Sequence, residues 1–192
     1  MVIAEEPVIF STVAEGARKA FGARLTPELL AKMKAVGFDL DSQQVAYPLL
    51  PFLDAIGVLA DELFPKQPRT KQLRLLGREF ILGYRATTIG FAVLTMARVI
   101  GLKRTLLRMG RNLHTTANYL EVDTEDAGPS EVIVRTKVRQ EFRAIITPSY
   151  LAIVNGYRVG VFEGTFQELG ARGEVTMDGP AERPEVAFRL RW

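Results

Sequence analysis

An α+β fold is predicted by three features of the chain. Residues up to about 115 read as successive helices, the segments from Tyr119 onward include short runs of alternating apolar residues, and one long helical pattern stands among those runs. Helices first and antiparallel strands second is not the regular strand-helix alternation that builds a parallel sheet. At 192 residues the chain fits one domain over 1–192, since domains commonly run from about 50 to 250 residues. Its helical part covers about 1–115 and its mostly sheet part, with one long helix, about 116–192.

Taken in order, Pro7 to Phe10 starts a short strand, and Ser11 and Thr12 cap a helix that runs through Ala20 and ends at Gly22. Thr26-Pro27-Glu28 supplies a capping hydroxyl, a proline at the first helical position and an acid in the first turn, and Gly37 closes that helix. Asp39 and Asp41 read as loop and cap residues. Tyr47-Pro48 and Pro51 introduce a helix from about Leu50 to Phe64, which Pro65 and Pro68 stop.

The pattern from Thr70 to about Leu94 predicts one central helix. Leu73, Leu76, Phe80, Tyr84, Phe91 and Leu94 stack on one stripe of it, and Lys71, Arg74, Arg78 and Arg85 on a second. Gly77, Gly83 and Gly90 each weaken a helix interior by roughly 1 kcal/mol relative to Ala, so close approach of another backbone is expected there. Gly101 separates a shorter basic helix, Lys103 to about Leu113.

Tyr119 to Thr124 and Glu131 to Val138 then form an antiparallel hairpin about an Asp126-to-Pro129 turn, and Phe142 to Ile146 is an extension or connector. Pro148 and Ser149 open a helix from Tyr150 to Leu169 whose Gly156, Gly160 and Gly164 make a groove for another element. Glu174 to Met177 and Glu185 to Trp192 close the chain as two strands about Gly179-Pro180.

Charge is strongly polarised. Residues 66–115 carry eleven Lys and Arg against one acid, Glu79, for a balance of +10, while the flanks carry −4 and −3. Clustered cations attract acidic protein, phosphate, anionic lipid or nucleic acid; the plainer reading is a solvated helix face paired with the chain's own acids. Nucleic acid is disfavoured because no helix-turn-helix, zinc or RNP-like pattern is present. Lipid stays open as a partner, although the sequence shows no exposed aromatic and basic amphipathic tail.

Other classes fall away by composition. Zero cysteines and one histidine remove disulfides, thiolate chemistry and structural zinc. There is no Gly-x-Ser-x-Gly, Walker loop or Gly-x-Gly-x-x-Gly. Glu163 with Glu168, or Asp123 with Glu125, are the only acid-base pairs worth naming, and only burial beside a pocket would tune them. A nonenzyme is therefore expected. The N-terminus, with Glu5, Glu6 and Pro7, is no secretory signal. The apolar run Ile89 to Leu102 is too short for a transmembrane segment, which needs about 20 residues, so a cytoplasmic location is expected.

Several positions together resemble the DUF2378 family, which is expanded in myxobacteria. They are Tyr47-Pro48, Leu63-Phe64-Pro65, Leu76-Gly77-Arg78, the basic Arg104 to Arg111 segment, Asn118-Tyr119, Gly160 with Gly164, Leu169-Gly170-Ala171 and the strand ending in Trp192. That family is distantly similar to vinyl-reductase-type ligand-binding domains, subunits of the TRAPP complex and haem-nitric-oxide-binding domains. The resemblance implies a helical layer against a twisted antiparallel sheet, frequently dimeric. Architecture of this kind senses ligands, holds haem or only assembles with proteins, so it does not select a function.

The expectation drawn from residues and resemblance together is a noncatalytic signalling or scaffold module, a homodimer through its helical layer, that binds a protein partner or small effector. Its contacts with an anionic surface or ligand would be Arg74, Arg78, Arg85, Arg104, Arg108 and Arg111. No metal and no cofactor is expected. The alternative is a sensor with an internal ligand, either an apolar effector between helices and sheet or haem held by His114. Leu113-His114 matches the leucine-histidine pair of haem-nitric-oxide domains, while their Tyr-x-Ser-x-Arg propionate clamp has no counterpart near Tyr150-Leu-Ala-Ile-Val154.

Overall fold

A computed structural model describes residues 6–113 and 116–192, with the backbone alone for 109–112. Its first layer begins with β1 (Val8–Phe10), which pairs antiparallel with β2 (Ala46–Pro48), Ile9 opposite Tyr47. Between them lie α1 (Ser11–Phe21) and α2 (Pro27–Ala35). Thr26 caps α2 by accepting from the Leu29 amide at 3.2 Å, with Pro27 at the first position as the sequence requires. The strand β2 is absent from the sequence expectation because Pro48 can pair only at an edge and three residues show no periodicity.

The helices α3 (Leu49–Leu63), α4 (Arg69–Arg85), α5 (Thr88–Ile100) and α6 (Leu102–Leu113) follow. The expected central helix is two helices, α4 and α5, bent by 95° at Ala86 and Thr87. Thr87 causes the break: its Oγ1 accepts from the Gly90 amide at 2.9 Å and donates to the Tyr84 carbonyl at 2.8 Å, ending one helix and starting the next. The turn is so tight that a Cβ at Gly90 would lie 1.7 Å from the Tyr84 carbonyl oxygen. Because the bend resets helical phase, Leu73, Leu76 and Phe80 are buried as expected, whereas Phe91 leaves the buried stripe and is 63% exposed.

The sheet is formed by β3 (Leu120–Gly128), β4 (Glu131–Val138), β5 (Glu174–Asp178) and β6 (Glu185–Arg191), in the antiparallel order β3-β4-β6-β5. Helix α7 (Pro148–Glu168) crosses from β4 to β5. The β5-β6 turn uses Gly179 at φ 91°, a conformation that favours glycine. Two hydrophobic clusters result. One joins α1 to α4 with the start of α7 and residues 117–120; the other places Val159, Phe162 and Phe166 of α7, with Leu106 of α6, against Val132, Val134, Val186, Phe188 and Leu190 of the sheet.

Helix α7 is the hinge between these clusters, and its glycines meet the sequence expectation of a groove. A Cβ at Gly160 would lie 2.0 Å from the Arg74 carbonyl oxygen, and one at Gly77 2.0 Å from that of Tyr157. On the other side of α4, a Cβ at Gly83 would lie 2.1 Å from the Ala20 amide nitrogen of α1. Backbone thus meets backbone on both sides of α4. Asn118 completes the join, accepting from the Val8 amide at 2.8 Å and donating to the Glu6 carbonyl at 3.0 Å, which ties β1 to the segment entering the sheet.

Candidate functional site

The cations of α4 lie along its contact with α7. Arg74 and Arg78 both reach the Glu163 carboxylate, Arg78 at 2.9 Å. Burial pushes the Glu163 pKa upward, but the two guanidinium groups outweigh it and hold the carboxyl below its ordinary value. Glu163 is therefore an anion locked between arginines and a poor general acid. Arg85 pairs with Glu168 at 3.0 Å, and Arg98 of α5 approaches the same carboxylate at 3.9 Å. Three of the six arginines singled out in the sequence thus face carboxylates of their own chain.

Arg104 and Arg108, both exposed on α6, meet no carboxylate within ion-pair distance among the described residues. The side chain of Arg111, and His114 altogether, lie outside the described residues. The other acid pair is also occupied: Glu125 binds Arg135 at 2.6 Å and Asp123 accepts from the Thr124 amide at 2.8 Å.

A different site emerges at α5 and α6. Helix α5 has one charged residue, Arg98, and buries only Gly90, Leu94 and Ala97. Val99 is 80% exposed, Met96 56% and Ile89 48%, in addition to Phe91. Apolar exposure concentrated on one helix is uncommon on a surface that meets only water. On the side of α5 that faces α6, a cleft of about 300 Å³ is lined by Ala92, Val93, Met96, Ala97, Ile100, Thr105 and Arg108. The Thr105 hydroxyl is committed to the Gly101 carbonyl at 2.9 Å, and Arg108 is the one charged group among the described lining residues. Such a cleft can hold an apolar body with an acidic group; among the described residues its lining has no carboxylate base, no nucleophile poised beside one and no metal-ligand set.

The interior is differently built. The α4-α7 contact leaves no gap for a ligand between those helices, because the atoms nearest Gly160 and Gly77 are backbone atoms of the opposing helix. Beside it lies a polar network that the sequence reading missed: Arg158, buried on α7, donates to Asn155 Oδ1 at 2.8 Å and to the Tyr119 hydroxyl at 2.9 Å. Asn155 in turn donates to the Ala181 carbonyl at 2.7 Å. An arginine inside the apolar run Leu151 to Phe166 was the available signal. Burial also pushes the Tyr157 hydroxyl well above its ordinary pKa, and that hydroxyl has no hydrogen-bond partner among the described residues.

Haem needs an axial donor and a pocket that encloses the macrocycle on both faces. Between α4 and α7 the described interior does not fit it: the helices are in backbone contact and Phe80 stands 5.7 Å from the Tyr157 ring. Among the described residues no group of His, Cys, Asp and Glu could hold a metal ion. No single helix among them is long and apolar enough to cross a bilayer.

With this geometry in place, comparison assigns the family and the fold. The model of the family described as "Protein of unknown function (DUF2378)" matches residues 8–192, and the chain belongs to that family. No curated protein matches it. Among solved structures it is similar to the H-NOX protein from S. oneidensis in the Fe(II)NO ligation state, with TM-score 0.68 and 8% identity, covering 95% of this chain and 98% of that one. It is also similar to a mutant K. algicida H-NOX protein in the Fe(II) unliganded state, with TM-score 0.64, 12% identity and 94% of each chain covered. A third similar structure, from work on haem redox potential and porphyrin distortion, has TM-score 0.60 and 13% identity and covers 96% of this chain and 100% of that one. At these identities the likeness is one of fold.

Proposed function

We propose that this chain is a noncatalytic ligand-sensing module in which the α5-α6 cleft takes a small amphipathic anion, its apolar body against Met96, Val93 and Ile100 and its acidic group on Arg108. The observation that carries the reading is the combination of an apolar lining with one arginine that meets no carboxylate among the described residues. An occupant there touches α5, which buries only three of its thirteen residues, and so bears on an element held by few interior contacts. The kinship in fold to H-NOX structures supports a sensing role without fixing the ligand.

The test is a titration with anilinonaphthalene sulfonate, an apolar anion whose emission rises on burial. Saturable binding at one site per chain is expected. Arg108→Glu should weaken it about tenfold or more, because a charge-assisted contact is replaced by repulsion. Binding unchanged in Arg108→Glu and in Met96→Asp, with both variants melting like the parent, would refute the cleft.

Haem is the second reading, favoured by the solved structures that share this fold and whose descriptions name haem. Here it would rest on His114, which lies outside the described residues. Reconstitution of the purified protein with haem decides it: a Soret band that His114→Ala removes would establish haem, and no band would eliminate it.

A further inference from the structure

The open side of α5 is distinct from the cleft. With 100° per residue, Ala92, Met96 and Ile100 turn toward the cleft, while Phe91, Thr95, Thr88 and Val99 occupy the outward arc. Phe91 and Val99 are the most exposed large apolar side chains of the helix. Around them the charge is of one sign in sequence: from Phe80 to Leu120 the chain carries six Lys and Arg and no Asp or Glu. The acids that do reach this region come from elsewhere, Glu168 to Arg85 and Arg98, and Asp126 to Lys103 at 2.7 Å. Arg104 remains exposed with no carboxylate in reach among the described residues.

We infer that the outward face of α5, with the basic start of α6, docks on an anionic lipid surface, Phe91 and Val99 entering the interface and Arg104, which meets no carboxylate among the described residues, reaching phosphate headgroups, with the excess positive charge of Arg98 and Lys103 beside it. The charge pattern selects this occupant. A second copy of the chain placed on the same apolar face would bring two sets of these cations together, whereas an anionic surface complements them. Dimension agrees: α5 has 13 residues, about 20 Å of helix at 1.5 Å per residue, too short to span a bilayer and suited to lying in its interface. The 95° bend turns α5 away from the line of α4. The sequence places Phe91 on the buried stripe and shows no exposed aromatic; the exposure of Phe91 supplies one.

The proposal goes beyond the cleft reading and uses other residues. Its test is co-sedimentation of the full chain with phosphatidylcholine vesicles that contain or lack phosphatidylserine. Binding should need phosphatidylserine and weaken as salt rises. Phe91→Asp and Val99→Asp should each reduce it about tenfold or more, and Arg104→Ala about fivefold. Thr95→Trp, on the same face, should strengthen it about tenfold while melting like the parent, which separates the gain from exposure of the interior. Equal binding to vesicles of either kind, indifference to these substitutions, or self-association that Phe91→Asp abolishes without any vesicle binding would each overturn the proposal. Dye binding in the cleft keeps the two readings apart, since Phe91→Asp should leave it within about twofold. Vesicle binding that fails while dye binding survives rejects the membrane surface alone, and the converse rejects the cleft alone.

Discussion

Gly160→Ala is the sharpest perturbation of the interior. The added methyl would stand 2.0 Å from the Arg74 carbonyl oxygen, 2.7 Å from its carbon and 2.9 Å from its Cα. Ordinary contact is roughly 3.5 Å, so α4 and α7 must separate by more than an ångström. No rotamer change relieves the clash, because the obstruction is main chain. Overpacking costs about 1–3 kcal/mol where side chains can give, and a backbone clash belongs at or above the top of that range. The helix-propensity gain of Ala over Gly, about 1 kcal/mol, offsets part of it. A net loss of about 2–3 kcal/mol lowers Tm by roughly 4–12 °C for a chain of this size.

The control is Gly156→Ala, one turn earlier, where the nearest atom is the Leu73 Cδ1 at 3.1 Å, a side-chain end that can rotate away. That variant should melt within about 2 °C of the parent or slightly above it. Thermal unfolding followed by circular dichroism measures both. Equal melting of the two variants would refute the backbone contact and reopen the space between α4 and α7 to a ligand.

Glu163→Gln should cost about 1 kcal/mol near neutral pH, because its arginine partners are half exposed and solvent screens them. Its pH dependence is more telling. The folded-state pKa of Glu163 lies below the ordinary 4.5, so its contribution is full above that value and lost as pH falls through the folded pKa. Denaturant midpoints measured through the acid range should therefore fall less steeply in Glu163→Gln than in the parent; parallel curves would count against the shared ion pair. Arg158→Met should destabilise by about 2–4 kcal/mol, since it leaves Asn155 Oδ1 and the Tyr119 hydroxyl without their donor in a buried place. Urea unfolding measures this, and a loss under 1 kcal/mol would show the network to be dispensable.

Much of the fold was legible because it rests on local rules. Thr26-Pro27 marks a helix start, Gly179 a turn, and the alternation of Val132, Val134 and Thr136 a strand. Gly77, Gly83 and Gly160 announced close backbone approach, though not which helices would meet. The candidate site was largely illegible. Its key event is the break at Thr87, where a side-chain cap outweighs an apolar period that runs on through Phe91 and Leu94. One cap changed Phe91 from core to surface and opened the cleft beside Arg108. Pairing of Arg74, Arg78 and Arg85 with α7 was hidden for another reason: Glu163 and Glu168 are more than eighty residues away in the chain, and sequence patterns carry no sign of such partners.

The proposed site has ligands acting at α5 and α6 and not in the interior. Hydrogen-deuterium exchange by mass spectrometry, with and without a medium-chain alkyl carboxylate, tests it most directly. Slowed exchange confined to Thr88–Ile100 and the first turns of α6, lost in Arg108→Glu, is the expected result. Protection centred on the α4-α7 contact, with α5 unchanged, would contradict it.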